Sequence, residues 1–133
     1  MGLRGKSYYV TEYVNGEHAG EFFAREQDET KIYDMANHIL NLLDSLAKLH
    51  ITHGDLKISN VLINAKAQPV LIDMDGAIEH YSLTSLKRGR HQDVSRFIYD
   101  LDKESIVYQY IKELTHEINS RSVLYQRNMA TSR

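Results

Sequence analysis

The clearest pattern in the chain is a stripe of apolar residues that recurs every three or four positions between about 28 and 49. This spacing matches the turn of an α-helix and places the whole stripe on one face, with polar positions on the other. The pattern therefore predicts a long helix over about 28–49. Its buried face consists of Ile32, Met35, Ala36, Ile39, Leu42, Leu43, Leu46 and Leu49.

Shorter apolar runs on either side of this helix predict strands and further helices. The aromatic and β-branched stretch over about 7–14 indicates a strand, and the polar run after it is expected to open the long helix. Two runs at 61–63 and 70–72, separated by polar residues, predict a small hairpin. Helical spacing returns over about 92–101 and 105–120, so the C-terminal part is predicted to be helical.

Composition and charge fit one soluble domain and exclude several classes of function. The chain has 133 residues, enough for a single core. Its net charge of -2 removes the global electrostatic argument for a nucleic-acid-binding protein. There is no cysteine, and no apolar run approaches the ~18 residues that cross a membrane. We therefore expect a cytoplasmic protein without disulfides or a transmembrane segment.

A polar loop between the long helix and the predicted hairpin contains the residue types that phosphoryl transfer needs. It covers 53–60 and reads His-Gly-Asp-Leu-Lys-Ile-Ser-Asn. The Asp55 carboxylate can orient a hydroxyl group and take its proton, and Lys57 can neutralise charge on a transferring phosphoryl group. The side-chain oxygen of Asn60 is a hard ligand suited to Mg²⁺. Considered alone, the segment could also be an ordinary polar loop.

The same segment resembles the catalytic loop of protein kinases, H-R-D-L-K-x-x-N, with Gly54 in place of the arginine. In that resemblance Asp55 is the catalytic base, Lys57 stabilises charge, and Asn60 is a ligand of Mg²⁺. His53 is a structural support of the loop. The resemblance thus implies ATP and Mg²⁺ as cofactors.

A second segment, Ile-Asp-Met-Asp-Gly over 72–76, follows an apolar run and resembles the D-F-G segment that binds metal in kinases. The resemblance makes Asp73 the ligand of a Mg²⁺ ion that bridges the ATP phosphates. Met74 takes the aromatic position. Asp75 stands where the family usually has glycine and is an additional candidate metal ligand. We call residues 73–76 the metal loop and residues 53–60 the catalytic loop.

Two further matches complete the order of kinase segments. Asp93 resembles the aspartate of the large helix under the kinase C-terminal lobe, which accepts hydrogen bonds from the catalytic-loop backbone. A simple carboxylate at a helix N-terminus is the alternative. The stretch over 9–16 is similar to a kinase hinge, in which the Glu12 carbonyl and the Val14 N–H would face the adenine of ATP.

The resemblance implies an α+β fold in which the whole chain, 1–133, is a kinase-like C-terminal lobe. This lobe is mainly helical, and a small β-hairpin carries the catalytic and metal loops. The sequence contains neither a G-x-G-x-x-G loop nor a V-A-I-K strand. We therefore expect the N-terminal lobe of such an enzyme to be absent, and to be supplied, if at all, by another polypeptide.

Three functions stay open within this class. Only twenty residues separate Asp73 from Asp93 and no A-P-E occurs, which leaves no room for the activation segment of ordinary protein kinases. The H-G-D-L and I-D-M-D forms resemble the compact kinases, which are lipopolysaccharide core sugar kinases, aminoglycoside phosphotransferases and RIO-like protein kinases. The D-M-D variant, the short segment after it and the basic stretch over 87–90 favour the lipopolysaccharide core heptose or Kdo kinases. That resemblance implies a sugar acceptor and a location at the inner face of the membrane. The alternatives are a RIO-like atypical protein kinase, with a protein acceptor, and a truncated non-catalytic fragment.

Overall fold

The computed structural model describes residues 14–116, in which short strands and helices pack against one face of a long helix. The helices are α1 (Ala19–Arg25), α2 (Glu29–Lys48) and α3 (Leu83–Tyr99), and residues 106–116 are also helical. The strands are β1 (Gly16–His18), β2 (Ile51–Thr52), β3 (Val61–Asn64), β4 (Pro69–Leu71) and β5 (Ile78–Glu79). Single 3-10 turns cover Ile58–Asn60 and Met74–Gly76. In this part of the chain no helix is both long enough and apolar enough to cross a membrane.

The long helix predicted from the apolar stripe is α2, which starts and ends within one residue of the predicted bounds. It begins where the Asp28 carboxylate accepts hydrogen bonds from the N–H groups of Thr30, at 2.9 Å, and Lys31, at 3.4 Å. Just beyond its end, His50 has a φ of 60°, which lies outside the helical range.

Two small antiparallel sheets lie beside the helices. In the first, β3 is the central strand: β4 pairs with one edge, with Leu62 opposite Val70, and β1 pairs with the other. The Asn64 side-chain oxygen accepts hydrogen bonds from two N–H groups of the turn between β3 and β4, at 3.0 and 2.9 Å. In the second sheet β2 pairs with β5, with Thr52 opposite Ile78. The hairpin predicted from the two apolar runs is therefore present.

The core lies between the apolar face of α2, the inner side of β3 and the inner faces of the two later helices. Its largest fully buried apolar side chains are Ile39, Leu56, Val61 and Ile111. Leu56 belongs to the catalytic loop, and burial of such a side chain contributes about 1.5–3 kcal/mol. The loop is therefore anchored in the core by its own sequence.

The helix that carries Asp93 begins earlier than the sequence indicates. α3 starts at Leu83, whereas the apolar spacing predicts a helix only from about 92. The Ser82 hydroxyl sets this start, because it accepts a hydrogen bond from the Ser85 N–H at 3.1 Å. The basic stretch over 87–90 is consequently part of the helix.

The N-terminal prediction needs a second correction. The polar run after Gly16 does not open α2, because it forms β1 and the separate short helix α1. Most of the hinge strand predicted over 7–14, including Glu12, lies outside the described residues. Val14 is half-buried and precedes β1 without belonging to a strand. The predicted helix over 105–120 is helical through 106–116, and its remainder also lies outside the described residues.

Candidate active site

His53 joins the catalytic loop to the strand that leads into the metal loop, and its side chain is fully buried. The Asp55 N–H, which can only donate, lies 3.3 Å from Nδ1 of His53. Nδ1 is therefore the acceptor, and Nε2 donates a hydrogen bond to the Ile72 carbonyl oxygen at 2.8 Å. The imidazole thus fixes the backbone at Asp55 relative to the residue that precedes Asp73.

Asp93 lies beneath the catalytic loop and supports its backbone. Its two carboxylate oxygens accept hydrogen bonds from the N–H groups of His53, at 2.7 Å, and Gly54, at 3.0 Å. Burial raises the pKa of the Asp93 carboxyl group, and these two hydrogen bonds oppose the rise. Asp93 lies in the second half of α3, far from its N-terminus, so the alternative role at a helix N-terminus does not apply.

Gly54 lets the two loops approach more closely than any residue with a side chain would allow. It has a φ of 90°, which L-residues with a side chain rarely adopt. A Cβ atom at this position would lie 2.0 Å from the Gly76 carbonyl oxygen. The catalytic-loop backbone therefore packs directly against the end of the metal loop. This contact explains why glycine stands where the kinase pattern has arginine.

The Asp55 side chain is half exposed and lies between two cations. Lys57 Nζ is 3.6 Å from one carboxylate oxygen, and Arg96 Nε is 3.9 Å from the other. Both distances are longer than a hydrogen bond, and all three side chains are more than a third exposed. Such pairs contribute roughly 0–1 kcal/mol and exchange readily. An incoming hydroxyl group can therefore replace either cation at Asp55.

Arg96 is a site residue that the sequence analysis missed. The match at Asp93 gave Arg96 no role, and an arginine in a helix is usually a solvated surface residue. The one available signal was its spacing of three residues from Asp93, which places both side chains on the same side of a helix. In the structure Asp93 reaches the backbone of the catalytic loop and Arg96 reaches its exposed carboxylate.

Asn60 and Asp73 supply oxygen atoms on the two coupled loops. The Asn60 Nδ2 donates to the Asp55 carbonyl oxygen at 2.9 Å, so the amide oxygen is the atom left to face a cation. The Asn60 carbonyl oxygen accepts from the Ile72 N–H at 2.9 Å, which ties Asn60 to the strand end before Asp73. Asp73 itself is exposed and has a φ of 56°. This left-handed conformation costs about 1–3 kcal/mol in a non-glycine residue and is concentrated at functional sites.

These donors fit Mg²⁺ bound to a nucleotide better than a metal held by the protein alone. Among residues 14–116 no group of three or more His, Cys, Asp or Glu side chains could hold a metal ion. Mg²⁺ commonly takes one or two carboxylates and fills its remaining positions with phosphate oxygens and water. Asn60 and Asp73 match that pattern of hard ligands, and the exposed Asp75 in the following 3-10 turn is a further carboxylate of the metal loop.

A mixed helical and stranded domain with two such coupled loops belongs to the class of kinase-like phosphotransferase domains. One loop presents an exposed carboxylate beside a lysine, and the other presents an aspartate at the end of a strand. A comparison with protein-family models agrees, because the model described as RIO domain matches residues 6–117. That match covers most of the chain, and the chain therefore belongs to the RIO-domain family.

The chain is also similar to a protein of Dictyostelium discoideum described as probable serine/threonine-protein kinase mkcE. The two sequences are 37% identical over 82 residues, which is 61% of this chain and 11% of the relative. The matched region is thus a small part of that longer protein. Both matches support the kinase-like fold, and neither carries the name of a lipopolysaccharide sugar kinase.

Proposed function

We propose that this chain is the catalytic lobe of an ATP- and Mg²⁺-dependent phosphotransferase that acts on a protein hydroxyl group. The coupling of the two loops carries this proposal. His53 and Asp93 hold the backbone at Asp55, and Asn60 connects it to the strand end before Asp73. Phosphoryl transfer requires a carboxylate at the acceptor and a metal-binding carboxylate at the phosphates in a fixed relation.

In the proposed reaction the Asp55 carboxylate accepts the proton of the acceptor hydroxyl while the hydroxyl oxygen attacks the γ-phosphorus of ATP. The bond between the γ-phosphorus and the bridging oxygen breaks, and ADP leaves. Lys57, which lies beside Asp55, neutralises charge on the transferring group. Asn60 and Asp73 would hold Mg²⁺, which supplies charge neutralisation at the phosphates when bound.

A protein acceptor is favoured by the RIO-domain match and by a relative described as a serine/threonine kinase. A sugar of the lipopolysaccharide core is the second candidate. It is favoured by the short interval between Asp73 and Asp93, which contains β5 and the first part of α3 and no activation segment. The basic residues of α3 over 87–90 could meet an anionic sugar.

Activity is proposed to need an N-terminal lobe. In this class a glycine-rich loop and a lysine strand hold the ATP phosphates from the opposite side, and the sequence contains neither pattern. Positioning of the reactants can lower the activation barrier by ~7–11 kcal/mol, and it requires that the ATP phosphates be held from both sides. The 133-residue chain is therefore expected to bind Mg²⁺-nucleotide weakly and to transfer phosphate at a low rate. An N-terminal lobe supplied by fusion or in trans is expected to raise that rate.

The test is transfer of labelled γ-phosphate from ATP to a serine- and threonine-containing protein and to a purified core oligosaccharide. The chain alone, the chain with a restored N-terminal lobe, and Asp55→Asn in each form are compared. We expect the lobe-restored chain to label protein, and Asp55→Asn to lower the rate by about 10²–10⁴-fold. Labelling of sugar alone would move the assignment to a sugar kinase. Absence of transfer in every arm would favour the non-catalytic fragment.

A further inference from the structure

We propose that the exposed face of α3 beside Asp55 binds the acceptor, and that Arg96 selects protein segments with an acidic side chain near the reacting hydroxyl. This inference rests on the proposed function and specifies its substrate class. The surface concerned, here called the α3 groove, is a shallow patch on one face of the helix, formed by His91, Gln92, Ser95, Arg96 and Tyr99.

The position of the α3 groove follows from Arg96, which belongs both to the groove and to the ion pair with Asp55. Its Nε lies 3.9 Å from the Asp55 carboxylate, so a ligand in the groove adjoins the proposed base. At about 1.5 Å per helical residue, the interval from His91 to Tyr99 is about 12 Å long. That length matches about four residues of an extended peptide at ~3.3 Å each.

The surface of the groove is mainly apolar and ends in an exposed aromatic ring. Tyr99 is 78% exposed, and the Arg96 guanidinium lies 5.5 Å from the centroid of its ring. A tyrosine offers a large amphipathic contact area at little cost in side-chain entropy, and arginine adds directional donors, which is why both are enriched where proteins bind proteins. An extended protein segment therefore suits the groove.

The charge of the α3 groove favours protein segments that carry an acidic side chain. None of its five lining residues carries a carboxylate, whereas Arg96 is cationic. The carboxylates that face Arg96 are those of Asp55, at 3.9 Å, and Asp100, at 3.6 Å. Neither distance is that of a hydrogen bond, and all three side chains are about a third or more exposed, so an acceptor carboxylate can compete with Asp55 and Asp100 for the guanidinium donors. An acidic side chain of the acceptor can form the bidentate pair that arginine favours, at the edge of the proposed active site.

The test is binding of two fluorescent peptides to the full chain, measured by anisotropy at low and at raised salt without ATP. The peptides carry one serine flanked by glutamate or, in the matched control, by glutamine. We expect the acidic peptide to bind at least about tenfold more tightly, with the difference reduced by salt. Arg96→Ala should abolish the preference, Arg96→Lys should keep part of it, and Tyr99→Ala should weaken both peptides. The control Lys66→Ala, an exposed position of the β3–β4 turn outside the groove, should leave both affinities unchanged.

Equal affinity for the two peptides, or a preference that survives Arg96→Ala, would overturn the inference. An equal loss in Lys66→Ala would do the same, because it would indicate a general effect of positive charge. If an anionic core oligosaccharide binds in an Arg96-dependent way and neither peptide binds, the ligand of the α3 groove is a sugar rather than a peptide. The binding test measures no turnover, so its result is independent of the transfer assay described above. Selective peptide binding together with a failed transfer assay would contradict the proposed function and leave the groove assignment intact.

Discussion

Asp93 combines two opposing effects at the scale of a single residue. Its carboxylate accepts two backbone N–H bonds from the catalytic loop, and burial penalises its charge. In Asp93→Asn one of the two N–H groups would face an amide N–H₂ group instead of an oxygen. We expect a loss of roughly 1–3 kcal/mol in the free energy of unfolding, measured by urea denaturation. An unchanged midpoint and slope would show that these bonds do not stabilise the fold.

The raised pKa of Asp93 also predicts a pH dependence. Between the ordinary value of 3.8 and the raised pKa, the folded chain binds more protons than the unfolded chain. The contribution of Asp93 to the free energy of unfolding therefore falls as pH rises through this window. Asparagine has no such proton, so the stability advantage of wild type over Asp93→Asn should be larger at about pH 4 than at about pH 7. An advantage that grows with pH would mean that the two hydrogen bonds outweigh burial.

Gly54 permits a second test at the residue scale. Gly54→Ala adds a Cβ atom 2.0 Å from the Gly76 carbonyl oxygen and places alanine at a φ of 90°. We expect a loss of at least ~2 kcal/mol in thermal or urea unfolding, because the loops must separate. The matched control is Gly20→Ala in α1, whose Cβ would meet Ile58 at an ordinary 3.6 Å. Similar effects of the two substitutions would contradict the close contact between the loops.

At the scale of elements, the close packing of α3 against β2 depends on another glycine. A Cβ atom at Gly89 would lie 2.8 Å from the His80 ring and 3.0 Å from the Thr52 methyl group. That ring is held by hydrogen bonds to Thr52, at 2.7 Å, and to Ser85, at 2.6 Å, so it cannot move freely. β2 runs directly into His53, and α3 carries Asp93, so this packing positions the support beneath the loop.

We expect Gly89→Ala to lower the free energy of unfolding by about 1–3 kcal/mol, since overpacking outweighs the ~1 kcal/mol that alanine gains in helix propensity. Chemical denaturation provides the measurement. The control Thr84→Ala lies at an exposed position of the same helix and should change stability by no more than about 0.5 kcal/mol. A stabilising Gly89→Ala would indicate that α3 and the β2–β5 sheet are not in close contact.

The elements differ in how far the sequence determines them. The α2 helix was predictable because burial on one face imposes its apolar period, and the β3–β4 hairpin because two apolar runs flank a polar turn. The first half of α3 has little apolar periodicity, and its start depends on the Ser82 cap and on the packing of Gly89. β1 has three residues and exists through its pairing with β3. Contacts between distant segments, such as Arg96 with Asp55, leave no local signal in the sequence.

For the whole molecule, the central feature is a site whose two loops are fixed by the fold itself. Leu56 anchors the catalytic loop in the core, Asp93 supports it from α3, and His53 joins it to the strand before the metal loop. A preorganised site loses little free energy in ordering when a ligand binds. We therefore expect the isolated chain to retain nucleotide binding that depends on the metal loop even where turnover is low.

The most direct measurement is titration calorimetry of ADP and of a non-hydrolysable ATP analogue, with and without Mg²⁺, on wild type, Asp73→Asn and Asp55→Asn. The account predicts weak binding to wild type that requires Mg²⁺ and is lost in Asp73→Asn, which removes the charged ligand. Asp55→Asn should bind as wild type does, because Asp55 is assigned to the acceptor rather than to the metal. Nucleotide binding that is independent of Mg²⁺, or that survives Asp73→Asn unchanged, would contradict the account.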